Sequence, residues 1–376
     1  MADPVRILHV HSTFTLGGKE ARAVRLMNLF GDHASHTVLS GVPGATGARA
    51  AIDPGIDARF PDDHPPLVGR PGLGRYRALA AYMRGFDLVL TYNWGSMDAV
   101  MTRRLFAGPP LVHHEDGFNV RERDGPILRR SLFRRLAFGA AHAIVVPSER
   151  LERIAFDVWK QPKGRVRRIA NGIPLAPYAV QPAEDAIPGL VKRPGEVVIG
   201  TLAGLRPIKN LPRLVRAFAA AGAHARLVIV GEGPERAAIA AEAARLGIAD
   251  RVLLPGFLPE PARYVGLFDI FALSSDSEQF PISLVEAMAA SRPAVSTDVG
   301  DVTRMVATAN RPFIVPISDE QALAAALARL IADPALRNTV GEANRARAQL
   351  EFGEAAMVDA YRSLYNAAIG RAGALG

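Results

Sequence analysis

The sequence contains no cysteine, which excludes a disulfide framework and any thiolate metal site. It also lacks long apolar runs. None reaches the roughly 18 consecutive apolar residues of a membrane span, and the opening residues MADPVRILHVHSTF carry no extended apolar core of the signal-peptide kind. The expectation is a cytoplasmic protein that meets a membrane, if at all, peripherally at its inner face. No zinc, helix-turn-helix or RNA-recognition signature accompanies the basic residues, so nucleic acid is not an expected partner.

What is present is a chain of 376 residues, 49% hydrophobic and 22% charged. That is the composition of a soluble globular protein, and the length suggests two domains with a core each. The net charge of +8 is unevenly placed: residues 1–180 carry 25 Lys and Arg against 16 Asp and Glu, and residues 181–376 carry 20 against 21. The densest basic stretch, Arg121 to Arg135, sets Arg129, Arg130, Arg134 and Arg135 around Leu128, Leu132 and Phe133. Two readings stand side by side: a segment drawn to an anionic membrane or anionic acceptor, and an ordinary amphipathic helix with solvated arginines.

Along the first half, Val5 to His11 reads as a strand, Leu16–Gly17–Gly18 as a turn, and Glu20 to Phe30 as a helix. A glycine loop before a helix lets backbone N–H groups approach a phosphate; a plain tight turn explains the pair equally well. Nicotinamide binding is not expected, because GGKEAR lacks the third glycine of that fingerprint. Further strands are predicted at His36–Gly41, Asp87–Thr91, Leu111–His114, Ala143–Pro147 and Val166–Ala170, alternating with helices as in a parallel α/β sheet. After Leu111–His114 come Glu115, Asp116 and Gly117, a polar cluster at a strand's carboxyl end, where such folds place ligands. His113 and His114, adjacent on a strand, point to opposite faces, and without H-x-x-x-H spacing no metal site is expected there.

The proline-rich stretch Ala176 to Gly195 reads as an interdomain connection. The same grammar then restarts, with strands at Val197–Leu202, Ala225–Val230, Val252–Leu254 and Ile270–Leu273. Arg206 and Lys209 lie in the first strand-to-helix loop, where a bidentate fork and a point charge suit a diphosphate. The stretch Ser274 to Ala290, SSDSEQFPISLVEAMAA, places Glu278 in a loop and Glu286 on a helix expected to start near Pro281. Between the two acids, the N–H groups of Phe280, Ile282, Ser283 and Leu284 are expected to face an anion at the helix N-terminus. Helical periodicity at Gln321–Ile331 and Glu354–Ile369 closes the chain.

These segments, in this order, resemble the retaining, nucleotide-sugar-dependent glycosyltransferases of family 4. The resemblance rests on Gly17–Gly18, Asn171–Gly172–Ile173, LRPIKN from Leu205, VGEGPER from Val230, LLPGFLP from Leu253, SEQFPISLVEAMAAS from Ser277 and RPAVSTDVGD from Arg292. It implies a GT-B fold, two facing Rossmann-like domains with an interdomain cleft. The implied domains are an acceptor-side one over 1–178 and a nucleotide-sugar one over 190–356, with the C-terminal helix 357–376 packing back on the first.

The resemblance also implies roles. Glu278 meets donor-sugar hydroxyls and Glu286 the nucleotide ribose. Lys209 neutralises the diphosphate, and Gly17 and Gly18 close over the phosphates. Glu232 lies near the nucleotide, and Pro255 to Leu258, including Phe257, lies against the base. Phe280, Pro281, Ile282, Ser283 and Leu284 complete the donor site.

Three positions depart from the family's pattern. The family's arginine five residues before the lysine is Gly204 here, so the second cation is Arg206 or is absent. The family's first-domain histidine falls on Asp116, preceded by His113 and His114. Gln279 replaces a glycine, which narrows the sugar pocket or adds an amide hydrogen bond.

The implied reaction moves a hexosyl or N-acetylhexosaminyl group from a nucleoside diphosphate sugar, with retention and without metal or other cofactor, to a sugar, lipid-linked or polysaccharide acceptor. Lys209, Arg206, Glu278, Asp116 and His114 are its catalytic candidates, with Glu278 orienting and not attacking. The rival readings are a nucleotide-sugar isomerase of the 2-epimerase type and a non-catalytic nucleotide-sugar binding module.

Overall fold

The computed structural model describes residues 3–15, 17–69, 72–117, 127–222 and 224–376. Arg121 to Pro126 of the basic stretch and Leu16 of the glycine loop lie outside the described residues. The chain divides into two units, Met1–Asn171 with Ala356–Gly376, and Gly172–Ala355.

Unit 1 is built on strands β1 (Val5–His11), β2 (Ala34–Ser40), β3 (Ala58–Arg59), β4 (Leu88–Tyr92), β5 (Leu111–His114), β6 (Ala143–Val146) and β7 (Val166–Arg168). They form one parallel sheet in the order β3-β2-β1-β4-β5-β6-β7. Its helices are α1 (Gly18–Phe30), α2 (Leu73–Met83), α3 (Met97–Leu105), α4 (Leu128–Ala137) and α5 (Glu149–Asp157). The strand sequences LVLTY and AIVV are buried at every position, as a parallel sheet covered on both faces requires. Alternate residues therefore feed two cores, Ile7, Leu88 and Leu90 on one face and Leu8, Val10 and Val89 on the other.

Unit 2 contains β8 (Val197–Leu202), β9 (Ala225–Val230), β10 (Val252–Gly256), β11 (Ile270–Leu273), β12 (Ala294–Thr297) and β13 (Ile314–Val315). They are parallel in the order β10-β9-β8-β11-β12-β13. Around them lie α6 (Leu211–Ala221), α7 (Arg236–Arg245), α8 (Ile282–Ala289), α9 (Val302–Met305), α10 (Glu320–Ala332) and α11 (Pro334–Glu351). In both units the chain winds outward from the first strand to one side, then returns and winds to the other. The resulting switch points, β1/β4 in unit 1 and β8/β11 in unit 2, are where open α/β sheets hold ligands, at the strands' carboxyl ends.

The last helix, α12 (Glu354–Ile369), buries Met357, Val358, Tyr361, Leu364 and Tyr365 in the unit 1 core. The division between units falls inside this helix. The proline-rich stretch is not a free tether, as its composition suggests, but packs into unit 2. Ile187 and Leu190 are buried, and a Cβ on Gly266 would meet the Pro182 ring at 2.8 Å. Among the described residues no helix is long and apolar enough to cross a membrane.

Candidate active site

At the unit 2 switch point the loop after β8 and the loop after β11 are tied together by backbone and side chain. Asp276 N–H donates to Ile208 O at 2.8 Å, and the Ser274 hydroxyl bridges the carbonyls of Lys209 and Asn210 at 3.0 Å each. Arg213, on the first turns of α6, donates to Asp276 Oδ1 at 2.7 Å and to Ser274 O at 3.2 Å. This frame brings Lys209 Nζ to 2.5 Å from Glu278 Oε1, which also accepts from the Ser275 hydroxyl at 2.7 Å. The Lys209 and Glu278 side chains are 24% and 11% exposed, so both heads are largely withdrawn from bulk water yet reachable.

Neighbouring loops press on this pair from behind, and two glycines make that approach sterically feasible. Gly231, at φ +142°, would drive a Cβ to 1.9 Å from Ala203 O; Gly300, at φ +60°, would drive one to 2.6 Å from Glu278 O. Neither position admits a side chain without moving the loop that carries Lys209 or Glu278. The Arg206 side chain folds back over Gly204, its Nε lying 3.5 Å from where a Cβ on that glycine would stand. A guanidinium thus sits over the position that carries the arginine in the resemblance drawn above.

Helix α8 begins at Ile282, one residue later than Pro281, which is the N-cap and makes no side-chain cap bond. Leu284 N–H donates to Pro281 O at 3.1 Å. It is therefore not among the donors that face outward, contrary to the sequence expectation, whereas Ile282 and Ser283 head the helix without a capping side chain. Phe280 packs edge-on against Phe352, with ring centroids 5.6 Å apart, so its ring is structural. The Gln279 side-chain carbonyl is buried without a hydrogen-bond partner.

Glu286 lies on the inner side of α8. Its Oε1 accepts a hydrogen bond from the Tyr178 hydroxyl at 3.1 Å, and burial outweighs that bond, pushing its pKa up to about 7. The folded pKa exceeds the unfolded one, so the acid form is favoured by folding. Stability falls as pH rises from about 4.5 through 7 and is lowest above that. Glu286→Gln is therefore expected to raise the melting temperature of the ligand-free protein at pH 8, by up to about 3 kcal/mol in stability, and to leave it nearly unchanged at pH 4.5. Calorimetry at the two pH values checks this.

Glu232, expected near the nucleotide, is paired with Arg236 at 3.0 Å on the turn after β9. Phe257, just past β10, is 64% exposed.

In unit 1 the expected acid/base residues separate onto two faces of β5. His114 turns toward α12 and is buried. Its Nδ1 lies 3.1 Å from Thr91 O and its Nε2 2.7 Å from the Tyr365 hydroxyl. The carbonyl can only accept, so Nδ1 is the protonated nitrogen and Nε2 accepts from the phenol. Burial, reinforced by Arg22, holds the ring neutral, with its pKa pushed down to about 3. The ring is fully satisfied inside the core, and its assignment as a catalytic candidate is withdrawn. His113 faces the other way, with Nδ1 2.9 Å from the Thr91 hydroxyl and Nε2 3.6 Å from Glu115. Among the described residues no three His, Asp or Glu side chains converge as a metal site.

Asp116, on the His114 side, is held by a residue that the sequence does not single out. Arg22, four residues into α1 from Gly18, grips both Asp116 oxygens and donates to Asn171 Oδ1 at 2.9 Å. Asn93, at φ +54° just after β4, accepts from Asp116 N–H at 2.7 Å. Burial raises the Asp116 pKa, but the Arg22 charge and hydrogen bond outweigh it and leave it below the ordinary range. Asp116 is thus an ionised hydrogen-bond acceptor and a weak base. Arg134 is corrected as well. Counted among the surface arginines, it is 1% exposed and donates to Glu115 Oε2 at 3.0 Å, whereas Arg129 and Arg135 are exposed and Arg130 lies over the Trp94 ring. Gly17 caps α1 in an extended conformation, and Gly18 is its first residue.

Two family descriptions tile this chain: Glycosyltransferase Family 4 over residues 16–176 and Glycosyl transferases group 1 over 183–347. The chain belongs to the family 4-like glycosyltransferases. Among curated relatives of this chain, N-acetyl-alpha-D-glucosaminyl L-malate synthase of Bacillus anthracis is 28% identical over 172 residues, 45% of each chain. The lipopolysaccharide core biosynthesis mannosyltransferase LpcC of Rhizobium leguminosarum bv. viciae is 28% identical over 212 residues, 54% of this chain and 60% of that one. The matches therefore span about half the length of these relatives. Of solved structures, Anabaena HepE in complex with UDP superposes with a TM-score of 0.79 at 19% identity, covering 96% of this chain and all of that one. The same protein is also known with UDP-glucose, at a TM-score of 0.77. These structures establish the GT-B fold for this chain.

Proposed function

We propose that this glycosyltransferase moves a sugar from a nucleoside diphosphate sugar to a sugar, lipid-linked or polysaccharide acceptor, with retention of configuration. The observation that carries the reading is the Lys209–Glu278 pair at the unit 2 switch point, with the half-buried Glu286 on the helix whose uncapped start follows the β11 loop. Lys209 leaves Glu278 for the donor phosphates, and the freed carboxylate accepts from sugar hydroxyls. Glu286, deprotonated as pH rises through about 7, accepts from the ribose hydroxyls. As the bond to the anomeric carbon breaks, charge develops on the diphosphate, and Lys209, Arg206 and the uncapped start of α8 oppose it.

Glu278 is already committed to hydrogen bonds and is assigned orientation, not attack. The departing phosphate takes the acceptor proton. Asp116, kept ionised by Arg22, is too weak a base to compete and is assigned to accept a hydrogen bond from the acceptor. The reading needs no metal ion. A uridine nucleotide is the first donor to test, since HepE was solved with UDP and UDP-glucose, and the mannosyltransferase relative makes lipopolysaccharide-type acceptors the first acceptor class.

The test follows free nucleoside diphosphate from a panel of sugar donors with and without candidate acceptors. Acceptor-dependent release with a glycosylated product is expected. Sugar isomerisation without acceptor-dependent release contradicts the proposal in favour of an isomerase, and binding without turnover of any donor favours a binding module.

Gln279 is the proposed determinant of donor choice. Its orphaned buried carbonyl is completed by a hydroxyl or amide donor on the sugar. Gln279→Gly is expected to change the ratio of kcat/KM between two donor sugars by about tenfold while leaving affinity for the bare nucleoside diphosphate unaltered. Competition kinetics with paired donors reads this directly.

A further inference from the structure

Tyr178 lies in the proline-rich stretch, outside the motifs that carry the family resemblance, and that stretch is pinned to unit 2 on both sides of it. Before it, Ile173 N–H donates to Phe352 O and Glu354 N–H donates to Ile173 O, both at 3.0 Å. After it, the Pro182 ring lies against Gly266, Ile187 and Leu190 are buried, and Lys192 pairs with Asp269 at 2.9 Å. Between these anchors the short turn Ala176–Ala179 packs on α8 and on the turn Pro261–Arg263. The Tyr178 hydroxyl is thereby delivered to Glu286 Oε1. Two phenols face that carboxylate, Tyr178 and Tyr264, and Tyr264 donates its own hydroxyl to Leu258 O at 3.2 Å. Among the described residues no Lys, Arg or His faces Glu286, so the Tyr178 hydrogen bond alone opposes the effect of burial on its charge. Oε2 has no hydrogen-bond partner among the described residues.

We infer that Tyr178 is a positioning residue of the nucleotide site, fixing Glu286 through Oε1 so that Oε2 is presented as a hydrogen-bond acceptor to the ribose hydroxyls. The inference rests on the donor reading above and adds to it a residue from the stretch between the sheets. An ionised carboxylate offers the ribose acceptors only, whereas the protonated acid places a donor on one oxygen. Phenylalanine at position 178 leaves burial unopposed, and the carboxylate then forms only at higher pH.

The test is calorimetric titration of the full chain with UDP-glucose and GDP-mannose between about pH 6.5 and 8.5, a range in which a diphosphate diester does not itself titrate. Wild-type affinity for at least one of them is expected to rise with pH about a midpoint near 7. Tyr178→Phe is expected to move that midpoint up by about one pH unit, weakening binding about fivefold at pH 7 and less than about twofold at pH 8.5. In a Glu286→Gln background the midpoint disappears and Tyr178→Phe has no further effect. A Tyr178→Phe profile that keeps the wild-type midpoint, whether superimposed on it or lowered by one factor at every pH, overturns the inference and leaves the donor reading intact. An effect of Tyr178→Phe that persists in the Glu286→Gln background does the same. Wild type binding neither compound overturns the donor reading, and the inference with it.

Discussion

Lys209→Ala is expected to lower kcat for glycosyl transfer by about 10²- to 10³-fold, the cost of removing one preorganised donor aimed at a developing anion. The loss has two sources. The diphosphate loses the more buried of the two cations in the loop after β8, and Glu278, 11% exposed, keeps the Ser275 hydroxyl as partner. Arg206→Ala is expected to cost about tenfold, because Arg206 is exposed and solvent screens its charge. Steady-state kinetics with a far-ultraviolet dichroism control separates the two variants. Turnover of Lys209→Ala within about a factor of two of wild type would contradict the site assignment.

The second large effect is on stability and concerns unit 1. A buried imidazole and phenol cluster sits under the carboxyl ends of β1, β4 and β5. His9 contacts the Tyr92 hydroxyl at 3.1 Å and His36 at 3.0 Å, and His11 stacks on Tyr92 at 4.0 Å with both ring nitrogens unpartnered. Burial pushes His9 and His11 well below the ordinary histidine range, His36 down to about 4 and His114 to about 3.

Each folded pKa lies below the unfolded value, so the unfolded chain binds more protons and stability falls as pH drops below about 6.5. At pH 5 His36 and His114 cost about 2 kcal/mol each, a large part of the stability of an ordinary domain, about 5–15 kcal/mol, and His9 and His11 act in the same direction. Unit 1 is therefore expected to lose its thermal transition between about pH 6 and 5. Glu286 acts on unit 2 in the opposite sense and favours it as pH falls. Scanning calorimetry against pH resolves the two. Replacement of His11 by Leu is expected to move the unit 1 acid transition to lower pH, and a unit 1 transition that is unchanged between about pH 7.5 and 5 would contradict this account.

Much of the fold was legible because its strands are strongly apolar and several helices, α1, α2, α8 and α12, begin directly after glycine or proline. The predicted and observed limits coincide for β1, β5, β8, β9, β11 and α12. Helix α11, eighteen residues long, was not legible. It buries Val340, Gly341, Asn344 and Ala348, so its inward stripe is small and polar and gives no hydrophobic period. Gly341 permits that approach, since a Cβ there would meet Ser291 O at 2.1 Å, and Asn344 fixes it by bonding Arg292 O, Asn310 and Ala307 N–H.

The site shows the same division. Lys209, Glu278 and Glu286 are recognisable because the loop chemistry is local in sequence. Arg22 on Asp116, Tyr178 on Glu286 and the burial of Arg134 and His114 depend on partners distant along the chain, for which a single sequence has no signal. For His113 and His114 the alternation along β5 sends the rings to opposite faces but carries no sign that both faces are covered.

The central claim, that the β8/β11 switch point of unit 2 grips a nucleoside diphosphate, is tested most directly by calorimetric titration of UDP, GDP and the matching free nucleosides into wild type, Lys209→Ala and Glu286→Ala. The account predicts that wild type binds one diphosphate, and that each substitution weakens this by tenfold or more, about 1.4 kcal/mol. Nucleoside binding is predicted to depend on Glu286 and not on Lys209. Absence of binding by wild type to any nucleoside diphosphate, or undiminished affinity in both variants, would contradict it.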